Sequence, residues 1–214
     1  MKAGIFGSGP VGQVLAKAFK QEGYEVLLGT RDVSKEEVIK FGSDNPGISV
    51  GTFEDAAQFG DIIVLSVKGT AAEEAVRLAA KYNFENKIVI DTTNPIADQP
   101  PTNGVLQFFT GPNESLLEKL QALVPSAKFV KAFNSVGNTL MYKPQLKDTP
   151  TMFIAGNDAE AKKTVAGIVS SFGWETADMG KAEAARAIEP LCMLWCIPGF
   201  LENDWQHAFK LLKT

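Results

Sequence analysis

A glycine-rich hexapeptide close to the first residue, Gly7-Ser8-Gly9-Pro10-Val11-Gly12, constrains this chain more than any other feature. It fits the spacing G-x-G-x-x-G, follows a short β-rich run and precedes a segment whose apolar side chains recur at the helical period. In such a strand–loop–helix unit the first glycine permits a tight turn, the second lets a ligand approach bare backbone, and the third lets helix and strand pack closely. Because a helix N-terminus presents unpaired N–H groups to anions, the loop predicts a site for the pyrophosphate of a dinucleotide. A merely tight turn between strand and helix is the alternative interpretation.

The rest of the chain alternates short β-rich runs with helical patterns, which is typical of a parallel sheet flanked by helices. Several runs are almost entirely apolar, as strands that are buried on both faces must be. We therefore expect an α/β fold, a Rossmann-type doubly wound and mostly parallel sheet with a helical C-terminal segment. The predicted strands are 2–6, 25–29, 48–50, 62–67, 87–91, 128–133 and 151–155, and the clearest helices are 11–21, 70–81, 116–124 and 159–172.

Composition excludes several classes of protein. The net charge of −4 leaves no basic surplus for sequence-independent binding to nucleic acid. A single histidine excludes sites built from several histidines, and we expect no metal site. No uninterrupted apolar run reaches the roughly 18 residues of a membrane span, and the N-terminus turns glycine-rich too early for a signal peptide, so we expect a cytoplasmic protein without a membrane span.

The end of the second predicted strand indicates which dinucleotide binds. NAD-binding sequences usually place Asp or Glu there to hold the ribose 2′-hydroxyl, whereas this chain has Thr30 followed by Arg31. A hydroxyl and a guanidinium can hydrogen-bond a 2′-phosphate that a carboxylate would repel. Lys35, with Ser34 before it, can complete the phosphate site. We therefore predict NADP(H) rather than NAD(H), although Asp32 can either cap the next helix or contact the ribose.

Polar residues also follow three other predicted strands at their C-terminal ends, where open α/β sheets bind ligands. Amides and hydroxyls there can orient the nicotinamide carboxamide, although turn and cap chemistry is an equally good interpretation of the two asparagines. Lys131 is either a cation of the crevice or a solvent-exposed residue of an edge strand. The predicted cofactor contacts at this end are Ser66, Val67, Lys68, Asn94, Pro95 and Asn134, and the predicted catalytic residues are Asn94, Lys131 and Asn134.

These motifs together resemble a known family. The glycine loop, Gly29-Thr30-Arg31-Asp32, Thr93-Asn94-Pro95, Val130-Lys131-Ala132-Phe133-Asn134 and Asp178-Met179-Gly180 are similar to those of the deazaflavin-dependent NADP oxidoreductases. They are equally similar to the cytosolic reductase domain of the six-transmembrane metalloreductases. The resemblance implies a Rossmann domain that binds NADP(H), hydride transfer between nicotinamide and a flavin-like ring, and often a dimer.

We therefore expect an NADP(H)-dependent oxidoreductase that passes hydride to a flavin- or deazaflavin-like small-molecule acceptor, with ferric iron as a further acceptor. Residues 1–180 are expected to form the NADP-binding domain, and residues 181–214 a helical segment that closes the acceptor site or a homodimer interface. Aromatic residues of this segment line the acceptor site, close the core or bury a dimer interface. Two other functions stay open: a redox sensor that binds NADP(H) without turnover, and a carbonyl or imine reductase, for which Lys131 is the only plausible proton donor.

Overall fold

Eight strands form a single sheet in the computed structural model, which describes residues 1–213. The strand order is β3-β2-β1-β4-β5-β6-β7-β8, so the chain starts in the middle of the sheet and builds outward in both directions. Every pairing is parallel except that of β6 with β7. The strands are β1 Lys2–Phe6, β2 Glu25–Thr30, β3 Ile48–Thr52, β4 Ile62–Leu65, β5 Ile88–Asp91, β6 Lys128–Lys131, β7 Thr151–Gly156 and β8 Glu175–Asp178. The expected mostly parallel, doubly wound sheet is confirmed.

Helices cover both faces of the sheet. One apolar cluster packs α1 and α6 against one face, and a second packs α3, α4 and α5 against the other. Burial on both faces explains why the central strands read as continuous apolar runs. The helices are α1 Pro10–Gln21, α2 Glu36–Asp44, α3 Phe53–Phe59, α4 Gly69–Leu78, α5 Leu116–Leu123, α6 Ala159–Ser171 and α7 Ala185–Glu202.

Two elements, α3 and β8, were not predicted from the sequence, and α2 was expected only as a helix after β2 without stated bounds. The seven-residue α3 directly follows β3 and is defined by a capping box between Thr52 and Asp55, in which each side chain bonds the other residue's backbone N–H. The edge strand β8 has the polar sequence Glu-Thr-Ala-Asp and carries little hydrophobic signal. In α2 only Val38 and Phe41 are buried, so the apolar periodicity is weak.

The C-terminal segment is a helix followed by an extended tail. Helix α7 runs continuously through Pro190 and Pro198. The tail then returns to the sheet, where the backbone N–H of Thr151 donates to the carbonyl of Phe209 at 2.8 Å. Within residues 1–213, the stretch Ala182–Glu202 is long and apolar enough to cross a bilayer, with a mean hydropathy of 1.3, but helices in protein cores pass the same test.

Candidate functional site

A cleft of about 1150 Å³ opens at the C-terminal ends of β1, β2, β4 and β5. This is the edge of an open α/β sheet at which ligands bind, and the strand order reverses there between β1 and β4. Most of the predicted contacts line the cleft, namely Gly7, Ser8, Gly9, Pro10, Val11, Thr30, Arg31, Lys35, Ser66, Val67, Lys68 and Asn94. Three predicted cofactor contacts are absent from its lining: Gly12, Pro95 and Asn134.

The glycine loop has the geometry that an anion site needs. Gly7 adopts φ +115°, which favours glycine, and a Cβ there would lie 2.6 Å from the carbonyl oxygen of Ser66. A Cβ on Gly12 would lie 1.8 Å from the carbonyl oxygen of Gly7, so Gly12 permits close packing behind the loop instead of facing the cleft. A Cβ on Gly9 would meet no atom of residues 1–213 within 4 Å. Since no side chain caps α1, its first N–H groups and the open space over Gly9 fit a pyrophosphate.

The Thr30–Arg31 end of the cleft offers a hydroxyl and two cations. The hydroxyls of Thr30 and Ser8 lie 3.3 Å apart, and Arg31 and Lys35 are exposed on the wall of the cleft. The carboxylate of Asp32 accepts bonds from the hydroxyl and the backbone N–H of Ser34, at 2.6 and 2.9 Å. These bonds hold the pKa of Asp32 below its ordinary value.

The carboxylate of Asp32 and the hydroxyl of Ser34 are therefore hydrogen-bonded to each other in a local turn. The predicted participation of Ser34 in a phosphate site is not supported, because its hydroxyl is bonded to Asp32. A carboxylate is nonetheless present at this end of the cleft, since Glu37 also lines it.

At the opposite end, Asn94 contacts the cleft and Asn134 lies behind it. The side-chain amide of Asn94 donates to the backbone carbonyl of Asn134 at 2.7 Å. The amide of Asn134 in turn donates to Oδ1 of Asn94 at 3.1 Å and to the carbonyl of Ile188 at 3.0 Å. Asn134 is 2% exposed, so the prediction that it contacts the cofactor is wrong for this conformation. It holds Asn94 instead.

The prediction that Lys131 is an accessible cation is also wrong. Strand β6 lies between β5 and β7 and is not an edge strand. The side chain of Lys131 is fully buried, and its ammonium group lies 2.6 Å from Asp91 and 2.9 Å from Glu189. Burial alone would lower the pKa of Lys131, but the two carboxylates outweigh it and raise that pKa above its ordinary value. Lys131 therefore stays charged and enclosed, and it cannot touch a substrate.

Sequence reasoning missed several residues of the site. Ile96, Ala97, Asp98 and Gln99, from the start of the irregular stretch after β5, form one wall of the cleft. Glu189 was missed because its role depends on α7 covering the end of β6. The available signal was its position as an acidic residue within the apolar sequence Ile188–Trp195.

The aromatic residues of the C-terminal segment pack on one another and do not line the cleft. The indole of Trp195 lies 5.5 Å from that of Trp205 and 5.2 Å from the ring of His207, between ring centroids. Its Nε1 donates to the carbonyl of His207 at 2.7 Å. Trp195 is 6% exposed and thus closes the core, whereas Phe200 is 44% exposed.

Comparison with known proteins agrees with this geometry. Residues 2–95 match the family described as NADP oxidoreductase coenzyme F420-dependent. The metalloreductase STEAP3 of Rattus norvegicus is 28% identical over 205 residues, which are 94% of this chain but only 39% of that protein. An F420-dependent NADP reductase of Methanocaldococcus jannaschii is 27% identical over 179 residues, which are 79% of each chain.

A solved structure extends the similarity to the whole chain. The crystal structure of a protein from Arthrobacter sp. FB24, named for a proposed F420-dependent NADP reductase activity, superimposes with a TM-score of 0.93. The two chains are 28% identical, and the match covers 100% of both. The resemblance carried by the sequence motifs is thus confirmed: the chain is similar to the F420-dependent NADP reductases and to the metalloreductases.

Proposed function

We propose that this protein transfers hydride between NADP(H), bound along the cleft, and a flavin-like acceptor, with a deazaflavin as the first choice. The observation that carries the proposal is the continuity of the cleft from Arg31, past the bare backbone of the glycine loop, to Asn94. The names of the relatives from Methanocaldococcus and Arthrobacter support a deazaflavin as acceptor, because both refer to F420.

Each part of the cleft has a separate task in this proposal. Thr30, Arg31 and Lys35 bind the 2′-phosphate, and the N-terminus of α1 binds the pyrophosphate. Asn94 orients the nicotinamide carboxamide, since its own amide is fixed by Asn134. When bound, NADP(H) supplies the hydride, so the protein contributes mainly by holding donor and acceptor about 3–3.5 Å apart.

The acceptor reaches the nicotinamide from the wall formed by residues 96–99. The exposed ammonium of Lys68 lies 3.9 Å from the carboxylate of Asp98 in this region. Such an exposed ion pair contributes little energy and can separate to admit a second planar molecule.

The experiment is a screen of acceptors with the purified protein and NADPH. The loss of NADPH absorbance is followed with the deazaflavin coenzyme, riboflavin, flavin mononucleotide or a ferric chelate as acceptor. Rapid reduction of the deazaflavin supports the proposal. Oxidation of NADPH by the ferric chelate in the absence of any flavin would contradict it, as would tight NADPH binding without turnover on any acceptor, which would favour the sensor function.

The structure does not favour a carbonyl or imine reductase that uses Lys131. Such an enzyme needs a proton donor in contact with its substrate, and the ammonium group of Lys131 is enclosed by two carboxylates and the carbonyl of Thr93.

We also propose that two copies of this chain associate through α7. Leu194, Phe200 and Leu201 are 55%, 44% and 60% exposed there, on the part of the helix that follows Arg186 and Glu189 and is apolar up to Glu202. Burial of such side chains against a second copy removes apolar surface from water. The variant Leu194→Glu with Leu201→Glu should then elute as a monomer where the wild type elutes as a dimer, and a monomeric wild type would refute the assembly. The cytoplasmic location stays a prediction.

A further inference from the structure

A cluster of three charged side chains lies fully buried behind the Asn94 end of the cleft. Lys131 ends β6, Asp91 ends the neighbouring β5, and Glu189 comes from the second turn of α7. Each is 0 or 1% exposed. The ammonium group of Lys131 contacts both carboxylates and also donates to the carbonyl of Thr93 at 2.7 Å. One N–H group thus bonds Thr93, and the charge of the ammonium group faces both carboxylates.

Glu189 joins this cluster to a second helix. Its two carboxylate oxygens accept the backbone N–H groups of Leu116 and Leu117, each at 3.0 Å. These are the first two residues of α5, where a helix favours a negative charge. One side chain thus links α7, the N-terminus of α5 and the end of β6.

The cluster ends at the lining of the cleft. Asp91 accepts bonds from the backbone N–H and the hydroxyl of Thr93, at 2.9 and 2.6 Å, while Lys131 holds the carbonyl of the same residue. Thr93 lines the cleft and is followed by Asn94. The charged side chains behind the cleft therefore fix the backbone and the hydroxyl of Thr93, and with them the direction in which the chain continues to Asn94.

Helix α7 acts on Asn94 by a second route as well. Ile188, the neighbour of Glu189, accepts a bond from the Asn134 amide that holds Asn94. Phe133, just before Asn134, is buried with φ +60°, a conformation that is strained for a bulky residue and persists only where the surroundings impose it. Two successive residues of α7 thus brace both Thr93 and Asn94.

Stability alone does not account for such a cluster. Buried ion triads are often no more stabilising than apolar side chains of the same volume, because desolvation offsets the attraction between the charges. What this cluster supplies, and an apolar one would not, is a fixed position for the backbone of Thr93.

We propose that Glu189 is a positioning residue for the nicotinamide: through Lys131 it holds the Thr93–Asn94 segment in the orientation that binds the carboxamide. The inference rests on the proposed function, which places the nicotinamide at Asn94. Glu189 itself touches neither cofactor nor acceptor.

The test compares two ligands that share every group except the nicotinamide and its ribose linkage, NADPH and 2′-phospho-ADP-ribose. Their dissociation constants are measured by calorimetry for the wild type, Glu189→Gln and Arg186→Gln. Arg186 is the matched control because it also links α7 to α5, through the half-buried Glu118, but has no bond to Lys131. Glutamine keeps the shape of Glu189 but directs an N–H₂ group at Lys131 or at the N-terminus of α5, where only acceptors fit.

We expect the wild type to bind NADPH about tenfold more tightly than 2′-phospho-ADP-ribose, the value of about one well-placed hydrogen bond. Glu189→Gln should lose most of that ratio by binding NADPH about tenfold more weakly, with affinity for 2′-phospho-ADP-ribose changed less than about twofold. Arg186→Gln should keep the wild-type ratio. If Glu189 served folding alone, Glu189→Gln would weaken the binding of both ligands equally or would lower only the melting temperature.

The outcomes distinguish a failure of the proposed function from a failure of the role assigned to Glu189. A wild type that binds both ligands equally would refute the placement of the nicotinamide in the proposed function. A wild type that discriminates and a Glu189→Gln variant with an unchanged ratio would refute only the role of Glu189.

If Glu189→Gln does not fold, Glu189→Asp takes its place, because it keeps the charge but is one methylene too short to reach both Lys131 and α5. A selective loss of NADPH affinity in that variant supports the proposal, and an unchanged ratio overturns it.

Discussion

Replacing Gly9 by alanine separates the binding role of the glycine loop from its structural role. Gly9 has φ −76° and ψ 179°, which alanine adopts without strain, and in the described part of the chain the new methyl group would have no atom within 4 Å. The free energy of unfolding should therefore stay unchanged or rise by about 0.4–1 kcal/mol, because alanine restricts the unfolded chain. The same methyl group occupies the space that a pyrophosphate needs.

The expected loss of affinity follows from the bonds that this displacement breaks. A hydrogen bond to a charged group contributes about 1.5–3 kcal/mol, so the loss of one loop N–H contact costs about 1.5–3 kcal/mol. This corresponds to NADPH binding that is weaker by about 10- to 140-fold. Calorimetry measures the affinity, and urea unfolding of the same samples measures the stability.

Gly12→Ala is the matched control within the same loop. Its methyl group would lie 1.8 Å from the carbonyl oxygen of Gly7, so the backbone must move, and we expect a loss of about 1–3 kcal/mol in the free energy of unfolding. A stable Gly9→Ala protein that binds NADPH as tightly as the wild type would refute the placement of the pyrophosphate. Equal destabilisation by both substitutions would refute the separation of their roles.

Three further predictions concern charged side chains. Arg31→Gln should weaken NADPH binding about tenfold and leave NADH binding unchanged. The exposed control Lys163→Gln should change the binding of neither nucleotide. Equal losses of NADPH and NADH affinity in Arg31→Gln would contradict a 2′-phosphate contact. Lys131→Met should lower the free energy of unfolding by about 3–5 kcal/mol in urea, because two buried carboxylates lose their cation, and a loss below about 1 kcal/mol would show that the cluster is not charged. The pKa of Glu118 is lowered chiefly by its hydrogen bonds from Arg186. The stability that these hydrogen bonds contribute is therefore fully present above the ordinary pKa of glutamate, and it is lost as the pH falls through the lowered pKa of the folded state. Arg186→Gln should therefore destabilise the protein at neutral pH but not in acid, as unfolding curves across pH will show.

The fold could be predicted from the sequence wherever local signals agreed. The apolar central strands, the glycine loop and α1 each carry a short-range pattern that matches their final environment. By contrast, β8 is a polar edge strand, and its pairing with β7 is decided by distant parts of the chain. The continuity of α7 was also hidden, because two prolines within it read as interruptions.

The residues of the site likewise divide into those that local sequence patterns predict and those that they do not. The glycine loop and the pair Thr30–Arg31 both lie near the start of the chain within one strand–helix–strand unit, so motif spacing was enough to bring them to one cleft. The roles of Lys131 and Asn134 depend on Glu189 and Ile188, more than fifty residues further along the chain. No local pattern shows that a C-terminal helix covers the end of β6. The sequence therefore identified Lys131 and Asn134 as unusual residues but not as buried ones.

The most direct test of the account is a crystal structure of this protein with NADP⁺. We expect the 2′-phosphate beside Thr30 and Arg31, the pyrophosphate over Gly9 and the nicotinamide carboxamide within hydrogen-bonding distance of Asn94. Electron density for the nucleotide at another place, or with the nicotinamide turned away from Asn94 into solvent, would contradict it.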